Sequence, residues 1–488
     1  MLFNSYIFLI FLPVVWIGYF GLNQVRLFKV ARFMLIIASF VFYGYADYRL
    51  CFLLMFSILA NFGVHVALRR ENSGQAVKRL LFVFGLLINL GLLFYFKYLD
   101  FTLENLNRFL HAGIALRNIV LPLGISFYTF QQLSFIVDSY YGRAGKYSFS
   151  EYCLFVSFFP QLVAGPIVRH QEMIPQFGEL EKRRIRFENL LSGMEYFIIG
   201  FSKKVLVADS FAGICNAGYD NLKELSSFSA ILTILAFTLQ IYFDFSGYCD
   251  MALGLGKLFN IDIPVNFDSP YKAASIAEFW KRWHITLTAF LTTYIYIPLG
   301  GNRKGTVRTC VNVILVFALS GLWHGAAWTY VLWGLLHGAA MVVYRLGQKQ
   351  IDRLPRGVLR ACTFIFVSVA WVFFRAEFFR QPWYLFKQVI VGGAAGIHGE
   401  MVRFFCEKSM WKLTLERIMS GSAIQIICQS VMTGWFAFWI LVCVKFPSSH
   451  DIVGRKIRKT GYYIFLSALF AASLVQLSQV SEFIYFNF

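Results

Sequence analysis

A succession of separate apolar runs, each roughly 17 to 25 residues long and divided by short Lys/Arg clusters, constrains this chain more than any other feature. A run of that length crosses a ~30 Å hydrocarbon layer as an α-helix with all its backbone polar groups paired internally. Closed membrane barrels instead need alternating segments of about ten residues, a pattern the sequence does not show. Only 15% of the 488 residues are charged, against about a quarter in soluble domains. The expected class is an all-α polytopic membrane protein.

The formal net charge of +19 raises the question of nucleic acid. The basic residues, however, lie between apolar runs and not along one soluble face, so they read as topology signals and no nucleic-acid partner is expected. Arg26, Lys29 and Arg32, then Arg69, Arg70, Lys78 and Arg79, alternate with near-neutral loops. With basic loops cytoplasmic, the N-terminus is placed outside, and 178–188, 299–308, 346–358 and 446–460 are cytoplasmic. The first run lacks a basic leader and a cleavage site and reads as a retained span. Nine scattered cysteines without a C-x-x-C pair read as small core hydrophobes. Three regions follow within one integral unit: spanning helices and an outer interfacial helix over 1–118, a core with re-entrant segments over 119–345, and spanning helices over 346–488. Eleven to thirteen crossings are expected in all.

Some runs are interrupted, and the interruptions are informative. Residues 97–118 are amphipathic and fit an outer interface. Gln131, Gln132, Ser134 and Asp138 are too many polar positions for a lipid-facing helix, so they should face protein or a cavity. FFPQLVAGPIVRHQEMIPQF (158–177) has three prolines and reads as re-entrant. In YFDFSGYCDMALGLGKLF, Asp244 and Asp250 fall about 240° apart on a continuous helix, so a helix break with each carboxylate paired to Lys or Arg is the expectation. The following glycines fail phosphate-loop templates, and Gly254 and Gly256 read as helix-packing positions.

Chemistry concentrates between 278 and 345. SGLWHGAAW places His324, beside Trp323, inside an apolar run, where an imidazole must be neutral and hydrogen-bonded. Upstream, Ser275 and Glu278 read as a capping box, opening a segment in which Lys281, Arg282 and His284 alternate with Phe279, Trp280 and Trp283. That mixture fits the headgroup interface. Arg303 and Lys304 follow in a polar turn. His337 is thirteen residues past His324, roughly 220° around a continuous helix, so the two are no metal pair unless the backbone breaks at Gly325. No metal site is expected, and His337 reads as a hydrogen-bonded packing residue.

The motifs FFPQLVAGPIVR, YFDFSGYCDMALGLGKLF, NFDSPY, EFWKRWHITLT, YIYIPLGGNRKG and SGLWHGAAWTYVLWGLLHG occur in this order. Together they resemble the membrane-bound O-acyltransferase family, specifically its bacterial branch acting on alginate, other exopolysaccharides or peptidoglycan, with the teichoic-acid D-alanyl transfer protein as a relative. The resemblance runs nearly unbroken from 120 to 345 and more weakly through SVAWVFFRA. It implies a helical bundle around a central tunnel with His324 at its middle, in the inner membrane of a bacterium. It also implies acetyl-CoA as cytoplasmic donor, a polysaccharide acceptor and a periplasmic or extracellular SGNH-type partner.

Transfer from a thioester to a hydroxyl needs a base for the hydroxyl proton and a stabiliser for the tetrahedral oxyanion, and calls for no cofactor beyond the donor substrate. His324 is the expected base, with His284, His337 and Trp323 as supporting candidates. Burial favours neutral imidazole, which suits that task. An acyl-His intermediate is the covalent variant. Lys281, Arg282, Arg303 and Lys304 are the expected contacts to the anionic donor. Two other readings stand beside this one: acyl transfer from a carrier-protein thioester, and a transporter or flippase built on buried Asp244 and Asp250.

Overall fold

Apolar runs with internally paired backbones form helices, and every regular element among the described residues is helical. A computed structural model describes residues 1–71, 74–394, 396–408, 421–455, 459–478 and 483–484. Residues 409–420 of the expected mixed segment, 456–458 of the expected last loop, and 479–482 and 485 at the end of the expected last span lie outside the described residues.

Seven described helices are long and apolar enough to cross a membrane: Tyr6–Gln24, Arg49–Leu68, Gln75–Leu110, Ser227–Leu258, Gly305–His324, Arg356–Arg375 and Ile426–Lys445. The chain is a multi-pass membrane protein. Seven is fewer than the crossings expected, for local reasons. The run after Arg26 forms a 17-residue helix, Phe28–Gly44, about 25 Å long. The polar-interrupted run near 130 forms a 16-residue helix, Ile125–Tyr140, most of which is buried. Residues 97–110 are not a separate interfacial element, because Gln75–Leu110 is continuous through a π-helical turn at Phe94–Tyr98. His111 in the left-handed region then ends the helix, and the Asp100 carboxylate accepts from Arg117 N (2.7 Å) and Ile119 N (3.1 Å), folding the following segment back.

The chain divides into two compact units, 1–201 with 248–265, and 202–247 with 266–484. In the first, polar side chains that could not face lipid satisfy one another. Asn61 Nδ2 donates to Asn89 Oδ1 (3.2 Å) and Gln132 Oε1 (3.0 Å), while Gln132 Nε2 donates to Ser57 Oγ (2.8 Å). Gln131, Ser134 and Asp138 are buried on the same helix, as expected for positions facing protein. The proline-broken backbone at 158–168 is buried throughout. Gly124, at φ +72°, lies against it so closely that a Cβ would meet the Leu162 carbonyl oxygen at 2.8 Å. Gly254 does pack as anticipated: its Cβ would lie 2.6 Å from the Gly193 carbonyl oxygen.

In the second unit the expected helix break near Asp244 does not occur, since Ser227–Leu258 is one helix of 32 residues. The carboxylate finds its counter-charge without a break. A π-helical turn at Lys203–Ala208 carries Lys204, whose ammonium lies 2.6 Å from Asp244 Oδ1 and 3.0 Å from Asp209 Oδ1. Ile484 N also donates to Asp244 Oδ2 (2.9 Å). Phe245, the next residue, stands edge-on to His284 with ring centroids 4.9 Å apart.

Candidate active site

A helical hairpin holds His324. The Gly305–His324 helix ends on the histidine itself, Gly325 is extended (φ −161°), and the chain returns as Trp328–Ile351. The backbone therefore does break at Gly325, the condition that the sequence left open. The two helices cross with backbones almost touching. A Cβ at Gly321 would meet the Tyr330 carbonyl oxygen at 2.2 Å, and one at Gly334 the Phe317 carbonyl oxygen at 2.2 Å. Small residues permit this approach, and it brings Trp333 and His337 of the returning helix to the level of the histidine.

Around His324 the walls are aromatic. Its ring lies 5.2 Å from Trp333 at 89°, 5.2 Å from Phe374 at 69° and 4.9 Å from Trp323 at 73°. His284 is the second imidazole of the site, with ring centroids 6.3 Å from His324 and 6.1 Å from Trp323.

The tautomer of His284 follows from its neighbours. Asn266 Oδ1 accepts from Thr286 N (3.2 Å) and Thr286 Oγ1 (3.0 Å). A backbone N–H can only donate, so the atom it meets is the amide oxygen. The His284 Nδ1 that faces the same oxygen at 3.2 Å therefore carries the proton. Nε2 of the neutral ring is then a lone pair, and it is buried without a hydrogen-bond partner. His284 itself sits in the left-handed region (φ 45°, ψ 53°), which non-glycine residues populate only under constraint. The Ile285 N to Asn266 O bond (3.0 Å) supplies part of that constraint.

His337 is held differently. Trp280 Nε1 donates to its Nδ1 at 3.3 Å, which leaves the proton on Nε2. Trp280 and Trp283, expected at the headgroup interface, are instead 5% and 1% exposed and belong to the core. An amphipathic pattern looks the same whether its aromatic side meets lipid headgroups or protein. The capping start at Ser275 is present, its hydroxyl accepting from Glu278 N (3.1 Å), although Glu278 reaches Ala274 N and not the cap residue.

Of the residues expected at the site, His324, Trp323 and His284 lie together, and His337 reaches them through Trp333, 4.9 Å away. Lys281, Arg303 and Lys304 are exposed. Arg282 is occupied by local structure, donating to Glu278 Oε1 (3.0 Å) and Asp268 Oδ2 (3.0 Å) and so tying the NFDSPY turn to the helix after it. Asn266, Trp333, Trp371 and Phe374 were not anticipated. Asn266 lies inside a quoted motif, but nothing local in sequence pairs it with a histidine eighteen positions on.

The sequence pattern described as MBOAT, the membrane-bound O-acyltransferase family, matches residues 37–379. The chain is 38% identical over 526 aligned positions to the peptidoglycan O-acetyltransferase of Helicobacter pylori, covering 100% of this chain and 98% of that one. It is 38% identical to the probable alginate O-acetylase AlgI of Pseudomonas aeruginosa, over 80% of this chain and 75% of that protein. It is 25% identical to the teichoic acid D-alanyltransferase of Bacillus subtilis, over 48% of this chain and 61% of the relative. With the family pattern spanning well over half its length, the chain belongs to the membrane-bound O-acyltransferase family and is an O-acyltransferase.

Proposed function

We propose that this protein moves an acetyl group from cytoplasmic acetyl-CoA across the bacterial inner membrane for O-acetylation of a cell-envelope polysaccharide, with peptidoglycan the first candidate acceptor. The observation that carries this reading is the 38% identity to a peptidoglycan O-acetyltransferase over essentially the full length of both chains. Likeness to a D-alanyltransferase is lower and covers 48% of this chain, so a carrier-protein donor is the second reading. A transporter or flippase would not carry the family pattern.

In the proposed reaction, His324 takes the proton of the acceptor hydroxyl as its oxygen attacks the thioester carbonyl. The tetrahedral intermediate collapses with loss of the CoA thiolate, which the imidazolium then protonates. His284 contributes a lone pair at Nε2, aimed by Asn266, that can accept a hydrogen bond from a substrate donor and cannot itself donate while neutral. The Trp323, Trp333 and Phe374 rings exclude water, so the thioester is protected from hydrolysis. Lys281, Arg303 and Lys304, exposed and basic, are proposed to face the cytoplasm and attract the anionic donor. The N-terminus then lies outside, and a periplasmic SGNH-type partner completes transfer to the polymer.

Purified protein, combined with its periplasmic SGNH-type partner and supplied with radiolabelled acetyl-CoA and a muropeptide or oligosaccharide acceptor, tests the donor. Release of CoA with label in the product supports the proposal. Label transfer from an aminoacyl carrier protein but not from acetyl-CoA would favour the second reading.

A further inference from the structure

Three buried N–H groups beside the His324 site have no acceptor. Trp333 Nε1, Trp371 Nε1 and His337 Nε2 are each buried without a hydrogen-bond partner, and the bond from Trp280 to Nδ1 makes His337 Nε2 an N–H. They form one cluster. Trp333 stacks on Trp371 (5.5 Å, 18°), lies 4.9 Å from His337 and stands perpendicular to His324 at 5.2 Å. Phe374, 5.0 Å from Trp333 and 5.2 Å from His324, offers no acceptor among its side-chain atoms.

A buried donor left unpaired forfeits its hydration with nothing in return, and buried tryptophans usually sit where the indole N–H finds a partner. Clustering of such donors around one histidine points to a ligand that supplies an acceptor to the donor nearest it, Trp333. The ligand must offer a hydrogen-bond acceptor there. His284 Nε2, 0% exposed as part of its residue and likewise unpartnered, asks for a donor on the same ligand. A thioester carbonyl meets the first demand, and an N–H or O–H of the substrates other than the attacking hydroxyl, whose one proton goes to His324, meets the second.

We propose that the Trp333 indole N–H is a further catalytic group, donating to the carbonyl oxygen of the acyl thioester. The assignment rests on the acyl-transfer reading above. As the hydroxyl oxygen bonds to the carbonyl carbon, the π electrons move onto the carbonyl oxygen and the indole hydrogen bond strengthens without proton transfer. When the carbonyl re-forms, the C–S bond breaks and the electron pair leaves on sulfur. Trp371 and His337 hold the ring: the first stacks beneath it, and the second fills the space beside it.

Trp333→Phe keeps the aromatic stack and removes the donor. It is expected to lower kcat about 10²-fold or more with little change in the KM for acetyl-CoA or in thermal unfolding. Benzothienylalanine at 333, the same shape without N–H, is the second variant and must show the same loss. Trp439→Phe is the control: its indole N–H is also unpartnered, but its ring neighbours are Phe243, Trp435 and Phe438, and activity should be retained. Binding gives the independent readout. Wild-type protein should bind the ketone analogue acetonyl-dethio-CoA about tenfold more tightly than S-ethyl-CoA, which has no carbonyl, and the Trp333 variants should bind the two alike. A variant that keeps the preference, or keeps kcat within threefold, overturns the assignment. If wild-type protein binds neither analogue, the acyl-CoA reading fails and takes this assignment with it.

Discussion

Gly334→Ala adds a single methyl group where the two helices of the histidine hairpin cross. The new Cβ would lie 2.2 Å from the Phe317 carbonyl oxygen and 3.3 Å from Gly321 Cα, and both neighbours are backbone. Relief to an ordinary carbon–oxygen contact requires the helices to separate by about 1 Å. Overpacking of this kind costs roughly 1–3 kcal/mol, while alanine recovers up to about 1 kcal/mol of helix propensity over glycine. The net loss of about 0–3 kcal/mol leaves the protein folded. The geometry of the site is far less forgiving: His324 lies one turn beyond Gly321, and a ~1 Å misplacement costs about 10²-fold in rate. The variant should therefore fold with near-normal yield and transfer acetyl groups about a hundredfold more slowly. Initial rates from acetyl-CoA, normalised to folded protein by size exclusion and thermal unfolding, measure this. Gly91→Ala is the control, because no atom lies within 4 Å of its Cβ. Activity within threefold of wild type for Gly334→Ala, or equal losses for the two variants, would refute the reasoning.

Three further outcomes are expected. Lys204→Met removes the buried ammonium that Asp209 and Asp244 share, which should cost about 3–5 kcal/mol and be visible as a large drop in unfolding temperature; an unchanged midpoint would count against the cluster. Asn266→Asp places a carboxylate against His284 Nδ1, stabilising imidazolium, so the acidic limb of kcat/KM should move to higher pH by about 1 unit or more; lower activity with an unmoved limb would mean that His284 has no part in proton handling. At Asp262, partial burial pushes the carboxyl pKa up, but Lys257 and Lys182 outweigh it and hold the pKa below the ordinary value. A depressed folded pKa means the stabilisation is present above the unfolded value and is lost as pH falls through the folded one, so Asp262→Asn should lower stability at neutral pH and converge with wild type well below about pH 4, as followed by thermal unfolding across pH.

Part of the candidate site was legible in the amino-acid sequence. A histidine inside an apolar run is chemically conspicuous, and the ordered motifs around it located the family, which the full-length similarity bears out. Inward-facing Gln131, Gln132 and Asp138 were also readable, because lipid cannot solvate them. What failed has a common physical origin. Hydropathy records what a residue is and not what it faces, so Trp280 and Trp283 could be placed at an interface when they are core. Asp244 appeared to demand a broken helix because its partner, Lys204, comes from a π-helical turn forty residues upstream that no local pattern announces. The Asn266–His284 pair depends on a left-handed turn at a histidine, and the unpartnered indoles depend on backbone approach at Gly321 and Gly334. Both are properties of three-dimensional packing.

The central claim is that His324 performs proton transfer during acyl transfer, and the most direct measurement is single-turnover acetyl transfer by purified His324→Ala protein reconstituted in lipid, with donor binding measured alongside by calorimetry. The account predicts that acetyl-CoA binds with near-wild-type affinity and the protein unfolds at a near-wild-type temperature, while the transfer rate falls by about 10²–10⁴-fold. Transfer at a rate close to wild type by the folded variant would contradict it.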